Sequence, residues 1–590
     1  MQENQQRWDL TSLFSHFEGE DYKKALKEFE EGCCLLQKFV DNKPSEGNFS
    51  SWLKMYLDVD NKVGALFESL NAYVYSVYST QTTDSKALNE IARLDEKSLA
   101  YNKTALAFRG IISQFSNLLD SFYESYPHFK DYDYVLREEI QLCAHQMSVA
   151  EENLAQDMQR YGGDAWSRLH EQIISNLQDA ETGKSFNELR NEAYAEEREI
   201  RKKAYEKELS LLKASEIPIA AALNNIKGAT NCLNKRRHWD SALDKACASH
   251  RVERKTLDAL IAAMEESLPM WRRYLKIKAK NLGLETCSFY DLFAPLKNTQ
   301  KEIAEKQWTY PEAIETIIEK FTAFSPEMGN FVEKASKNHW IDVPITQGKI
   351  GGAFCIDFPY HKQSRVLVNF TGVFSDVVTL AHELGHAYHH SCIGNKDYAL
   401  QHYPMTLAET ASIFAENLVM QDAIARADGY EKAKLVEMHL SDSCQVVVDI
   451  LCRFYFERKV FELRQEQELT SEDFCAIMAE AQEKTYGAGL SLERHEYMWA
   501  VKTHYYSPDL DFYNFPYAFG LLFALGLYNR FKTEGNAAAE KYKEILSNTG
   551  SYSCEKVCDE AGFDITKKDF WLKGMSELAE ELEILEKFVG

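Results

Sequence analysis

Residues 382–386 read His-Glu-Leu-Gly-His. Residues four apart share a face of a helix. If the segment is helical, His382 and His386 therefore point their imidazoles at one ion, and two neutral imidazoles are suitable first ligands for Zn²⁺. Glu383 then lies about 100° round the helix, beside the metal rather than behind it. A carboxylate there can accept a proton from a water acidified by the ion and later pass it to a leaving amine. With 16 His and 91 Asp plus Glu in 590 residues, random order gives roughly 0.07 occurrences of two histidines at this spacing with an acid after the first. Chance is thus a poor account of the pattern. Val377, Val378, Ala381 and Leu384 can face a core in the same register. The bland alternative is a helix whose two histidines are merely packed or exposed.

A catalytic zinc needs a third protein ligand and an open position. One arrangement places a third His six residues after the second, behind a Gly. Here position 389 is His and position 392 is Cys, so that arrangement fails. The other places a Glu on a following helix. The run Thr406 to Glu416 has helical character, and Glu409, Ser412 and Glu416 share one of its faces. Glu409 is the expected third ligand. Ser412 or Glu416 could hydrogen-bond Glu409 or a liganding His, and Glu416 could equally be a solvated carboxylate. His389 and His390 read as supporting or surface groups.

These residues need elements to hold them. Twelve prolines and 27 glycines are few for this length, which favours a helix-rich chain. Ala25, Phe29, Leu35 and Leu36 show amphipathic spacing near the start. Ser185 with Glu188 forms a capping box that opens an apolar run through Leu189, Ala193, Ile200, Ala204 and Leu209; Thr309, Pro311 and Glu312 open another helix. One region differs. Between Ile345 and Phe370, three glycines precede Ala353-Phe354-Cys355-Ile356 and Arg365-Val366-Leu367-Val368-Asn369-Phe370, which predicts two short strands joined by a loop. Helix resumes near Ser375, the expected N-cap.

The net charge of −24 and the lack of a basic face argue against nucleic acid and anionic membranes. The most apolar stretch, Phe515 to Tyr528, is about 14 residues long, short of the roughly 20 a membrane span needs, so it predicts a buried helix. The start, Met1 to Trp8, lacks the apolar core of a signal peptide. Thirteen scattered cysteines suit free thiols in a reducing cytoplasm.

Taken together, Thr379 to His389, Glu409-Thr410-Ala411-Ser412, and His504 with Phe512 to Gly520 resemble oligoendopeptidase F, in the thimet oligopeptidase-like group of zinc metallopeptidases. Trp8 to Leu13 looks like that family's opening segment, and Gly352 to Cys355 and Val368 to Phe370 look like its strands beside the metal. Ala411 departs from more distant relatives that carry Pro there, at a position that does not coordinate. The resemblance implies a mainly α, elongated fold with a deep channel and a small sheet beside the zinc helix, one zinc, and cleavage of short unstructured peptides. It implies His382, His386 and Glu409 as ligands and Glu383 as base. His504, Tyr513 and Tyr517 would be an aromatic core by composition alone. With the resemblance they become donors to the substrate or to the oxygen that gains charge during hydrolysis.

The sequence thus predicts a helical region over residues 1–184 and a catalytic region over 185–590, with active-site helices at about 375–425 and a substrate segment at 503–520. A strand over Val366 to Phe370 could take an extended peptide along an exposed edge. An aminopeptidase would need an anchor for a free amine, and no segment of that type is found. A dipeptidyl carboxypeptidase of the same zinc chemistry stays open. A binding protein with zinc as a staple would usually close the site with a fourth protein ligand.

Overall fold

A computed structural model describes residues 6–297, 306–534 and 536–590; the first five residues of the polar N-terminal run lie outside them. The fold is mainly helical with one small sheet. The chain forms two compact units, each assembled from three stretches: Met1–Ala144, Ala304–Asp422 and Arg530–Phe563 in unit 1, and His145–Ile303, Ala423–Asn529 and Asp564–Gly590 in unit 2. The division expected at 184/185 falls inside unit 2. The Ser185–Glu188 capping box is present and opens the helix Phe186–Asn191. That helix packs on residues from both sides of the division, Gly163–Asn176 and Arg198–Ala214. The apolar run is also broken: a 3₁₀ turn Glu192–Tyr194 precedes the helix that restarts at Arg198.

Unit 1 opens with α1 (Glu20–Asp41), α2 (Phe49–Thr80) and α3 (Ser85–Gln114), which pack together. The buried face of α1 is Tyr22, Ala25, Leu26, Phe29, Cys33, Leu36 and Val40, a spacing of three and four that one helix stripe requires. Leu35 falls off that stripe and is exposed. The core under these helices extends to Phe358 and Leu400, so the N-terminal helices support the segments on either side of the histidine helix.

The sheet has three strands, β1 (Ile341–Asp342), β2 (Phe354–Phe358) and β3 (Gln363–Leu367), in the order β1-β3-β2. β1 runs parallel to β3, with Ile341 opposite Val366; β2 is antiparallel, with Cys355 opposite Val366. The two strands expected from sequence are here. The two-residue β1 carries no alternation to read. Its presence changes one expectation: β3, the strand holding Val366, is paired on both sides and offers no edge, while β2 forms an outer edge of the sheet. Arg365 is fully buried on β3. Its Nε donates to the Asp9 carbonyl (2.9 Å) and its Nη2 to Ser12 Oγ (2.9 Å). The opening segment 8–13 is thereby fastened to the sheet.

The histidine helix is α4 (Phe374–Ile393), with β2 and β3 against it. It starts one residue before the expected cap, Ser375. Asp376 performs the capping: its Oδ2 accepts from the backbone N–H of Thr371 (2.6 Å) and Gly372 (2.8 Å) and from Thr371 Oγ1 (2.7 Å). A short acid three residues into a helix satisfies amides that have no intrahelical partner. α5 (Met405–Arg426) follows through the turn Tyr398–Leu400.

In unit 2, the helices Glu216–Arg236 and Arg254–Leu282 pack on α6 (Ile450–Leu463), and Lys568–Val589 packs on Arg254–Leu282. Trp571 and Phe570 of that last helix meet Phe519 and Phe523 of the apolar α7 (Phe515–Glu534). Phe519, Leu522, Phe523 and Leu525 of α7 are fully buried, as its composition predicts. Among the described residues no helix is long and apolar enough to cross a membrane. A π-helical turn, Gln445–Asp449, leads into α6.

Because one carboxylate holds the whole entry of α4, Asp376→Ala should cost about 1–2 kcal/mol, seen as a lower urea midpoint at unchanged slope.

Candidate metal centre

His382 and His386 lie one turn apart on α4, and Glu409 lies in the first turns of α5. What brings the helices together is Gly385, between the histidines. A Cβ there would sit 2.7 Å from the Ala411 carbonyl oxygen, 2.8 Å from Ser412 Cα and 2.9 Å from Ala415 Cβ. Any larger residue would push α5 away. With glycine the two backbones touch, and three ligand atoms converge. His382 Nε2 and His386 Nε2 are 3.2 Å apart, and Glu409 Oε2 is 3.3 Å from the first and 3.5 Å from the second. An ion with bonds of about 2.0–2.1 Å to three corners of a tetrahedron needs those corners about 3.3–3.4 Å apart. The triangle has that size. Two imidazoles and a carboxylate are also the donor set that zinc accepts. This trio is the one group of at least three His, Cys, Asp or Glu side chains among the described residues that could hold a metal ion.

Two further side chains aim the ligands. His382 Nδ1 donates to Glu416 Oε1 in a short hydrogen bond, which turns the Nε2 lone pair toward the centre. Ser412 Oγ donates to Glu409 Oε2 at 2.9 Å. Ser412 and Glu416 thus take the supporting positions that the sequence left open between them. Glu383 is buried beside the trio. Burial pushes its carboxyl above the usual range, with the charges of His382 and His386 acting the other way. Burial also disfavours charge on His382 and Glu409. The Glu416 hydrogen bond and three carboxylates nevertheless carry His382 up to about 9, and His386, His382 and Ser412 hold Glu409 down to about 2. The site is therefore an acidic cluster that already needs positive charge.

His389 and His390, about one turn further along α4 from His386, have other work. His389 is fully buried with Nε2 at 2.8 Å from Thr549 Oγ1. His390 Nε2 lies 2.9 Å from the Tyr403 hydroxyl and Nδ1 3.2 Å from Ser364 Oγ on β3. Burial keeps both rings neutral. They tie the metal helix to its surroundings. Cys392 is buried in the core.

The remaining sequence candidates lie in unit 2. His504 sits in the 3₁₀ turn Thr503–Tyr506, and Tyr513 and Tyr517 flank the start of α7. The structure brings these three together: the tyrosine hydroxyls are 2.6 Å apart, and the His504 and Tyr513 ring centroids 5.8 Å. Phe512, just before Tyr513, has a φ of 52°. That is a strained conformation for a large L-residue, and it is held by packing between Phe454 and Phe461. Sequence reasoning missed Arg453, Asn514 and Asp449, which hydrogen-bond in a chain ending on His504. A signal existed for Arg453, a lone cation in the apolar run Ile450 to Phe456.

A family model described as Peptidase family M3 matches residues 192–577, and one described as Oligopeptidase F matches residues 114–178. Group B oligopeptidase PepB of Streptococcus agalactiae is 26% identical in an alignment that takes in 100% of this chain and 98% of that protein. The chromosomal oligoendopeptidase F of Lactococcus lactis is 29% identical over 67% of this chain. That alignment covers 65% of the Lactococcus protein, slightly under two thirds of its length. Among solved structures, a candidate peptidase of Chlamydophila abortus superposes with a TM-score of 0.83 at 20% identity, covering 99% of this chain and 98% of that one. Oligoendopeptidase F of Enterococcus faecium gives 0.68 at 18% identity, with 96% and 98% covered. At such identities the likeness is one of fold.

Gly385→Ala should lower zinc affinity by at least about tenfold, the loss usual when ligand support is disturbed, read by competition with a chromophoric chelator. Glu416→Ala should keep the fold and weaken zinc binding by about 10–100-fold in the same assay.

Proposed function

We propose that this chain, which belongs to peptidase family M3, is a zinc-dependent endopeptidase that cleaves short unstructured oligopeptides. The observation that carries the reading is the His382–His386–Glu409 triangle, of the size a zinc ion requires, with Glu383 buried beside it. When bound, zinc supplies the Lewis acidity that makes a water nucleophilic at neutral pH. Glu383 accepts that water's proton and delivers it to the departing amine. Its burial supports the role, because a carboxylate lifted above its usual range takes up a proton more readily. His504 and Tyr513 are the proposed donors to the carbonyl oxygen as it gains charge, with Tyr517 holding Tyr513 through their shared hydrogen bond.

The sheet supports a mode of substrate binding. β2 has its outer edge unpaired by strands, and Cys355 on it lies close enough to Glu383 to feel its charge. An extended peptide laid along β2 would be held by main-chain hydrogen bonds that ignore side-chain identity. Oligopeptides of varied sequence would then be accepted, in keeping with the names of the relatives, oligopeptidase and oligoendopeptidase. The proposed compartment is the cytoplasm, where thirteen free thiols stay reduced.

Glu383→Gln should retain one zinc per chain by elemental analysis and lose at least about 1,000-fold in kcat. A digest of peptides blocked at both ends, read by mass spectrometry with and without chelator, should show internal cuts that the chelator abolishes. Cleavage confined to free N-termini or to C-terminal dipeptides would replace the endopeptidase reading with an exopeptidase one.

A further inference from the structure

His504 is reached by a chain of hydrogen bonds whose direction is fixed at its far end. Asp449, in the π-helical turn before α6, accepts from Arg453 Nε at 2.7 Å. Arg453 Nη1 in turn lies 2.9 Å from one amide atom of Asn514, and the other Asn514 amide atom lies 2.7 Å from His504 Nε2. A guanidinium has only donors. The Asn514 atom facing Arg453 must therefore be Oδ1, and the atom facing His504 must be Nδ2, which can only donate. His504 Nε2 must then accept, so it carries no proton, and the neutral ring holds its proton on Nδ1. Nδ1 has no hydrogen-bond partner among the described residues and is not among the buried unsatisfied atoms, so it is open to a ligand.

We propose that Arg453 and Asn514 are positioning residues that lock His504 as the neutral Nδ1–H tautomer, so that the ring presents a hydrogen-bond donor and never a lone pair to the substrate. This rests on the reading of His504 as a substrate-binding group. Charge reinforces the lock. Burial, with the cations Arg453, Lys502 and Lys227 outweighing the carboxylate of Asp449, drives His504 protonation down to about 2; Glu457 and Asp511 lie against Lys227. A second proton on the ring would also set Nε2–H against the Asn514 N–H. The ring is thus a donor at every working pH and not a general acid or base. The backbone carbonyl of Asn514 also accepts from the Tyr517 backbone N–H at 3.1 Å. One residue therefore orients His504 and anchors the turn that carries Tyr513 and Tyr517.

The test uses the zinc-loaded full chain. The amide nitrogen of Asn takes the place of Nδ1 in histidine, and that of Gln the place of Nε2. H504N should stay within about tenfold of the parent kcat, while H504Q and H504A should each fall by about 100-fold or more, the usual loss for one transition-state donor. In N514D the carboxylate keeps the contact with Arg453 but accepts from the ring, moving the proton to Nε2. Its kcat should fall by about tenfold or more at unchanged zinc content and KM. Histidine-selective ¹⁵N NMR should find the His504 proton on Nδ1 in the parent and on Nε2 in N514D. A parent proton on Nε2, or H504Q outperforming H504N, would overturn the proposal and leave the reading of His504 intact. Parent kcat/KM in H504A would instead overturn that reading, and the proposal with it.

Discussion

The close approach of two helices at Gly385 is the constraint on which the rest depends. Histidines four apart on one helix fix two corners of a metal site by geometry alone. The third corner must come from elsewhere in the chain, and its distance is set by how near a second helix can lie. With the Ala411 carbonyl 2.7 Å from where a Cβ would be, α4 and α5 pack backbone to backbone. Small residues on both sides, Gly385 on one helix and Ala411, Ser412 and Ala415 on the other, make that contact possible. The surrounding architecture holds it: β2 and β3 pack against α4, Asp376 holds its start, and His389 and His390 tie its later turns to Thr549, Tyr403 and Ser364.

That packing has an electrostatic consequence. It gathers Glu383, Glu409 and Glu416 round two imidazoles in a poorly solvated place. Three carboxylates so close repel one another unless cations compensate them. Without an ion, the compensation falls on histidine, which is why His382 is pushed up to about 9. A divalent cation does the same job with more charge and shorter contacts. The crowding that lifts the Glu383 carboxyl thus also favours a cation at the centre.

How much of this could be read from the sequence depended on whether the determinant was local. The five residues at 382–386 carry a periodicity, and the face shared by Glu409, Ser412 and Glu416 carries another, so the ligand set and its supports could be proposed without coordinates. Helix starts at Ser185 and Thr309 were legible for the same reason, because a capping box is complete within four residues. The larger failures were non-local. β1 is two residues long and exists only through its pairing with β3, and missing it misplaced the edge of the sheet. The division expected at 184/185 falls inside one unit, because compactness is decided by which distant stretches pack together, and each unit draws on three of them. Asn514 was invisible as a functional residue because its meaning lies in Arg453, 61 positions away.

The two histidine roles in this chain come from one rule applied in opposite senses. An imidazole has two nitrogens, and the partner of one decides what the other can do. At the metal centre, the Glu416 carboxylate can only accept, so His382 Nδ1 keeps a proton and Nε2 offers a lone pair to an ion. In unit 2, the Asn514 amide nitrogen can only donate, so His504 Nε2 is consumed as an acceptor and Nδ1 offers a proton. In each case the choice is made one residue further out, by a group that would look like an ordinary polar side chain. For Asn514 it is made further out still, since only Arg453 and Asp449 fix which way the amide faces. Exchanging the two partners would leave a histidine at each position and reverse which nitrogen of each ring carries the proton, so histidine identity alone does not specify chemistry here. The hydrogen-bonding sign of the residue behind it does.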